Sequence, residues 1–219
     1  MTLPDDTGHS KSRGQFEKLV RATPEANMTP FLARDDIIDG IKEVADTLRD
    51  RGITGTLQLV GGAAIVLTVN ANRRLTRDID ATLSPKAEIK RAAQTVAERR
   101  HWPADWLNDD AAQFLPSGFG RPAEWVTLYQ DATITIQAAT NETLLAMKLY
   151  AAARRGAREA EDIADLLDRL GITSLDDAES LYGEFYPGDE FSPKTERLVE
   201  SILAVNRDST AEPPLPNFS

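Results

Sequence analysis

The chain has 219 residues, 35 acidic and 25 basic, with a formal charge of −10 at pH 7 and a hydrophobic fraction of 41%, ordinary for a domain with a real core. It contains no cysteine, and its only histidines are His9 and His101, which excludes disulfides, thiolate zinc sites and His-rich metal centres. The negative total argues against broad nonspecific binding to nucleic acid, and any bound metal must be held mainly by carboxylates, which suits a hard ion such as Mg²⁺ or Mn²⁺.

Met1 to about Asn27 is polar and broken by glycine and proline, and reads as a flexible arm. Met1 to Arg13 has no signal-like apolar region, and no apolar run approaches the roughly 18 residues needed to span a bilayer. The expected setting is cytoplasmic, with no membrane partner. Ile37, Ile38, Ile41, Val44, Ala45 and Leu48 recur at helical spacing, with Gly52 as the stop. Thr56 to Val60 predicts a short strand running into Gly61-Gly62, and Ala63 to Val69 predicts a helix in spite of its β-branched residues. Ile79 to Leu83 reads as a second strand, and Ser84-Pro85 opens a helix over Lys86 to Arg100. His101 to Arg121 reads as a long irregular stretch. Val126 to Tyr129 and Thr133 to Gln137 read as strands joined tightly around Gln130-Asp131. Helices are expected over Glu142 to Arg155, Arg158 to Leu170, Ser174 to Phe185 and Ser192 to Val205.

The expected fold is therefore α/β. A small mixed sheet with helices occupies 28–140, a C-terminal helical region occupies 141–207, and 208–219 is a frayed tail.

Two local patterns carry chemistry. Strand alternation points Asp78 and Asp80 the same way, roughly 7 Å apart. Two carboxylates on one face repel unless a cation lies between them, and a divalent ion there makes a platform for phosphate oxygens. The plain alternative is a strand end carrying two solvated acids. Gly61-Gly62, between a strand and a helix, lets backbone N–H groups approach a phosphate closely. Alone it is usually a turn, but strand, Gly-Gly, helix, basic loop and Asp-x-Asp strand form a rarer order. Arginine clusters stand at Arg73-Arg74-Arg77, Arg99-Arg100 and Arg154-Arg155-Arg158. Arg74 and Arg77 flank the acids, where a guanidinium fork grips phosphate or simply balances charge. Lys148 falls on the apolar stripe of its helix, so it either snorkels outward or meets an anion inside. Asp162 and Asp165 lie about one turn apart on the next helix, either one suited to holding Lys148 or an arginine. Trp102, Trp106 and Trp125 read as packing residues rather than base-stacking ones.

Leu59-Val60-Gly61-Gly62-Ala63-Ala64 followed by Arg74-x-Thr76-Arg77-Asp78-Ile79-Asp80 resembles the signature of the DNA polymerase β-like nucleotidyltransferase superfamily. Leu144 to Leu149, Ala151, Arg154-Arg155 and then Asp162-x-x-Asp165-Leu166 narrow the likeness. This pattern is similar to the AbiEii-type toxins of type IV toxin–antitoxin systems, including the mycobacterial MenT-like toxins. The resemblance spans roughly Leu57 to Leu170. It implies catalytic roles for Asp78, Asp80, Lys148 and Asp162, metal binding by Asp78 and Asp80, and nucleotide binding by Gly61, Gly62, Arg74, Arg77 and Lys148. It implies an NTP substrate with a pyrimidine favoured, the tRNA 3′ end as acceptor, and an antitoxin partner. An antibiotic or protein hydroxyl as acceptor, or a non-catalytic nucleotide-binding module, are the alternatives. One departure stands out. The superfamily's third carboxylate on a later strand has no counterpart among Thr133, Thr135 and Gln137, which leaves Asp131 as a substitute and the general base unassigned.

Overall fold

The structure is a computed structural model, and it describes residues 31–116, 118–205 and 211–218. The arm expected over 1–27 lies outside the described residues. Helix α1 (Arg34–Asp50) forms because its apolar stripe, Ile37 to Leu48, is buried as one face. Asp36 accepts a hydrogen bond from the Ala33 N–H at 2.9 Å and ties down the first turn. Strand β1 (Gly55–Leu59) leads directly into α2 (Gly61–Thr68). Ala63 to Leu67 are all buried in α2, so burial on every side overrides the weak helix propensity of Ile65 and Val66. Next come β2 (Ile79–Ser84), α3 (Lys86–Arg100), β3 (Leu107–Asn108), β4 (Trp125–Gln130) and β5 (Ile134–Ala139).

The five strands form one mixed sheet in the order β3-β2-β1-β5-β4. β1 is antiparallel to β2 and parallel to β5, β2 is parallel to β3, and β4 is antiparallel to β5. Leu57, Leu59, Ile79, Ala81, Ile134, Ile136 and Ala138 alternate onto one face and join the residues of α1, α2 and α3 in a single core. The opposite face is polar. Thr82 Oγ1 donates to Gln58 Oε1 at 2.7 Å, Gln58 Nε2 to Gln137 Oε1 at 2.9 Å, and Gln137 Nε2 to Thr127 Oγ1 at 3.4 Å. This row crosses the sheet from β2 to β4, and Asp80 shares its face two residues before Thr82.

The C-terminal helices are α4 (Asn141–Arg155), α5 (Ala160–Leu170), α6 (Leu175–Phe185) and α7 (Pro193–Leu203). A short 3₁₀ turn, Gly156–Glu159, joins α4 to α5. Thr140, Ser174 and Ser192 cap their helices through side-chain oxygens, and Pro193 is the first residue of α7. The described residues form one compact unit, so these helices and the sheet region belong to the same body. No described helix is long and apolar enough to cross a membrane.

Two expectations need correction. The stretch from His101 to Arg121 is not wholly irregular. Leu107 and Asn108 pair with Ile79 and Asp80, and Asp110–Phe114 makes a 3₁₀ helix. A two-residue strand is too short to show periodicity. Nor is the end of the chain frayed throughout, because Phe218 is buried against the core beside Tyr129, and the Pro214 carbonyl accepts from Arg34. One buried ring is enough to dock a proline-rich tail that has no helical or strand pattern.

Candidate functional site

The Val60 N–H donates to the Asp80 carbonyl at 2.9 Å, which pins the exit of β1 against the start of β2. The turn that follows requires glycine twice. Gly61 has φ +61°, and a Cβ there would lie 3.0 Å from Asp80 Oδ2. A Cβ on Gly62 would lie 2.9 Å from the Arg73 guanidinium. The Gly-Gly turn is therefore pressed between an acid of the site and a cation of the site.

Asp78 and Asp80 flank buried Ile79 and line one cavity of about 880 Å³, with Asp78 standing just before the first residue of β2. Asn108 of β3 donates to Asp78 Oδ2 at 3.3 Å, and the Thr76 hydroxyl donates to the Asp78 carbonyl at 3.1 Å. Thr76 thus fixes the loop. Burial raises the Asp78 carboxyl above its ordinary value against the hydrogen bond from Asn108, with Asp105 and Asp110 adding to the rise. Asp80 is pushed further, to about 6, by burial first and the charge of Asp78 second, against the opposing pull of Lys148 and Arg155. Two close carboxylates that disfavour their own ionisation are the donor set a hard divalent cation relieves. Among the described residues no cluster of three or more such ligands is placed to hold a metal.

Lys148 of α4 reaches the same cavity. Its Nζ donates to Glu159 Oε2 at 2.7 Å and lies 2.7 Å from Asp162 Oδ2. Asp162 is 1% exposed and also receives both Nε and Nη2 of Arg73, at 2.6 and 2.8 Å. Burial alone would raise the Asp162 carboxyl, but the hydrogen bonds from Arg73 and the charges of Lys148 and Arg73 outweigh it and hold it below its ordinary value. Of the two acids on α5, Asp162 is therefore the partner of Lys148. Asp165 instead accepts from Asn70 at 2.7 Å.

Arg74 and Arg77 also line the cavity. Arg74 donates to the Arg158 carbonyl at 2.6 Å, and the Arg77 guanidinium lies over the Phe31 ring at 5.4 Å. Arg154, Arg155 and Arg158 complete the basic rim. The remaining cluster serves elsewhere, because Arg99 and Arg100 pair with Glu43 of α1. Trp102 and Trp106 pack edge to face at 4.9 Å, and Trp106 is fully buried.

Asp131 does not stand in for a third carboxylate. It accepts from the Thr133 and Ile134 N–H groups, from the Tyr129 hydroxyl and from Arg49, and these bonds hold it far below the usual carboxylate range. Its work is to fix the β4–β5 turn and bind it to α1. The polar β5 residues on the polar side of the sheet are Thr135 and Gln137, neither an acid, and Gln137 is bonded to Gln58.

Sequence reasoning missed Arg73 and Glu159 as parts of this constellation. Arg73 adjoins Arg74 and reads as one more loop cation, and its contact with Asp162 across 89 residues leaves no local signal. Glu159 sits on the α4–α5 connection, where an acid is unremarkable until Lys148 is seen to touch it. Comparison with protein-family models, curated proteins and solved structures finds no match for this chain.

Proposed function

We propose that the protein is a metal-dependent nucleotidyltransferase that moves a nucleoside monophosphate from an NTP to an acceptor hydroxyl. The convergence of the Gly61-Gly62 turn, Asp78, Asp80 and Lys148 on one cavity carries the reading, because it joins a cation platform to phosphate-binding groups. Bound to Asp78 and Asp80, Mg²⁺ or Mn²⁺ would supply charge neutralisation for the triphosphate and polarisation of the reacting phosphorus. The α2 N-terminus presents backbone N–H groups beside Gly61-Gly62 to phosphate oxygens. The acceptor oxygen bonds to the α-phosphorus as the bond to the β-phosphate oxygen breaks, the hydroxyl proton passes to solvent or a base, and pyrophosphate leaves. Lys148, held by Asp162 and Glu159, and the arginine rim face the charge that develops on pyrophosphate. Catalysis on this reading is positioning and electrostatics.

For the acceptor, the sequence resemblance to AbiEii and MenT-like toxins supports the 3′ end of tRNA, a pyrimidine NTP, arrest of translation and growth, and restraint by a cognate antitoxin. The exposed arginines at the cavity mouth suit an RNA end in a protein whose total charge is negative. The test is incubation with tRNA, total RNA, Mg²⁺ and each labelled NTP. Label at an RNA 3′ end is expected. Label on a protein or antibiotic hydroxyl would transfer the reading to the other acceptors, and nucleotide binding without turnover on any acceptor would favour the non-catalytic module.

A further inference from the structure

The nucleotide cavity has an aromatic end distinct from its acidic one. Phe114 closes the 3₁₀ helix after β3, and Tyr150 lies on α4 two residues beyond Lys148. Both line the cavity and both are half-buried, with ring centres 6.2 Å apart. They are backed from behind. Tyr150 stacks on Tyr186 at 5.0 Å and 25°, and the Tyr186 hydroxyl donates to the Phe114 carbonyl at 2.7 Å. Tyr186 continues the row to Tyr182 at 5.2 Å. Apolar packing accounts for buried Tyr182. Phe114 and Tyr150 also rest on the core, but both are only half-buried and line a cavity that Asp78, Asp80, Lys148 and several arginines line as well.

The surroundings define what those rings can take. Ala151, one turn after Lys148 on the same helix, also lines the cavity and offers it only a methyl group. The Arg154 guanidinium lies over the Phe114 ring, 6.0 Å from its centre, and on its long exposed side chain this planar cation needs to swing outward by only about 1 Å to take the second side of a flat ligand. A flat ring here would be tethered by whatever phosphate Lys148 and the glycine turn hold.

We propose that Phe114, with Tyr150 behind it and Arg154 across from it, is the stacking platform for the nucleobase of the bound nucleotide. This inference rests on the nucleotidyltransferase reading and names the base subsite within it. Stacking on an aromatic contributes roughly 1–3 kcal/mol per base, or about 5- to 150-fold in affinity, so NTP must bind more tightly than its phosphates alone.

The test is calorimetric titration of the full chain with Mg²⁺ and, in turn, CTP, ATP and inorganic tripolyphosphate. The wild type is expected to bind both nucleotides at least about tenfold more tightly than tripolyphosphate. Phe114→Leu keeps an apolar side chain and loses the π face, and should lower nucleotide affinity about tenfold without changing tripolyphosphate affinity. Ala151→Leu, a conservative helix change that takes up cavity space next to Tyr150 in the chain, should do the same. Equal binding of nucleotide and tripolyphosphate by the wild type, or wild-type nucleotide affinity in both variants, overturns the base subsite while leaving the phosphate site standing. No binding of any of the three, or tripolyphosphate binding indifferent to Asp80→Asn, overturns the reading beneath it as well.

Discussion

Asp162→Ala removes the acid that neutralises two cations at once. Arg73 loses both of its carboxylate bonds and keeps only a 3.1 Å contact to the Arg74 carbonyl, whereas Lys148 retains Glu159. The Arg73 side chain is 8% exposed, so water cannot readily replace the missing partner. Breaking a buried pair from one side costs about 3–5 kcal/mol, which for a chain of this size lowers Tm by roughly 6–20 °C. An exposed pair such as Arg91–Glu88 is the internal reference, where Glu88→Ala should cost no more than about 0.5 kcal/mol. The assay is urea unfolding followed by far-UV circular dichroism, with Arg73→Met and the double variant completing a cycle. Because the cost is that of an orphaned cation, the double variant should be more stable than Asp162→Ala alone by at least about 1 kcal/mol. The pH dependence has a definite sign. Asp162 is held below its ordinary value, so its stabilisation is present above the ordinary carboxylate pKa and lost as pH falls through the depressed folded value. The gap between wild type and Asp162→Asn should therefore close only in acid, below about pH 4. A loss under about 1 kcal/mol for Asp162→Ala, or strict additivity in the cycle, would refute the reasoning.

Further predictions concern the acids and glycines of the site. Asp78→Ala and Asp80→Ala should each lower nucleotidyl transfer at least about a hundredfold with the fold intact by circular dichroism, and activity near wild type in either would remove it from the metal platform. Asp80→Asn should raise the Tm of the metal-free protein, since burial and Asp78 penalise the charge it removes, while abolishing any stabilisation by Mg²⁺. Gly62→Ala drives a methyl into the Arg73 guanidinium that Asp162 holds in place, and a loss of about 1–3 kcal/mol in the same unfolding assay is expected. Phe218→Ala should cost about 3 kcal/mol, and an unchanged midpoint would show that the tail adds nothing to the core.

How much of this was legible in advance depended on the range of the interaction. Gly61-Gly62 and Asp78-x-Asp80 declare themselves because turn geometry and strand alternation act within a few residues. Lys148 was visible as a charge on an apolar stripe, and the later acids could be narrowed to Asp162 and Asp165. The resemblance favours Asp162 of those two, and packing supplies the reason, since Asp162 faces Arg73 and Lys148 while Asp165 faces Asn70. Asp131 misled because a turn acid and a site acid look alike in sequence. Its partners, Arg49 and two backbone N–H groups, identify it as a turn residue. The docked tail escaped for a similar reason, since a lone Phe218 among prolines has no periodicity to read.

The bond between Arg73 and Asp162 joins a loop after α2 to a helix of the C-terminal region, with the Gly61-Gly62 turn resting on it through Gly62. The boundary near residue 140 that composition suggests is therefore not a seam at which the molecule can be recombined. A chimaera taking its first two-thirds from one relative and its helices from another would have to carry arginine and aspartate across together. Receiving one without the other would bury a bare charge directly beneath the turn. The pair should accordingly be inherited as one character, and a relative lacking Asp162 should also lack an arginine at the position of Arg73.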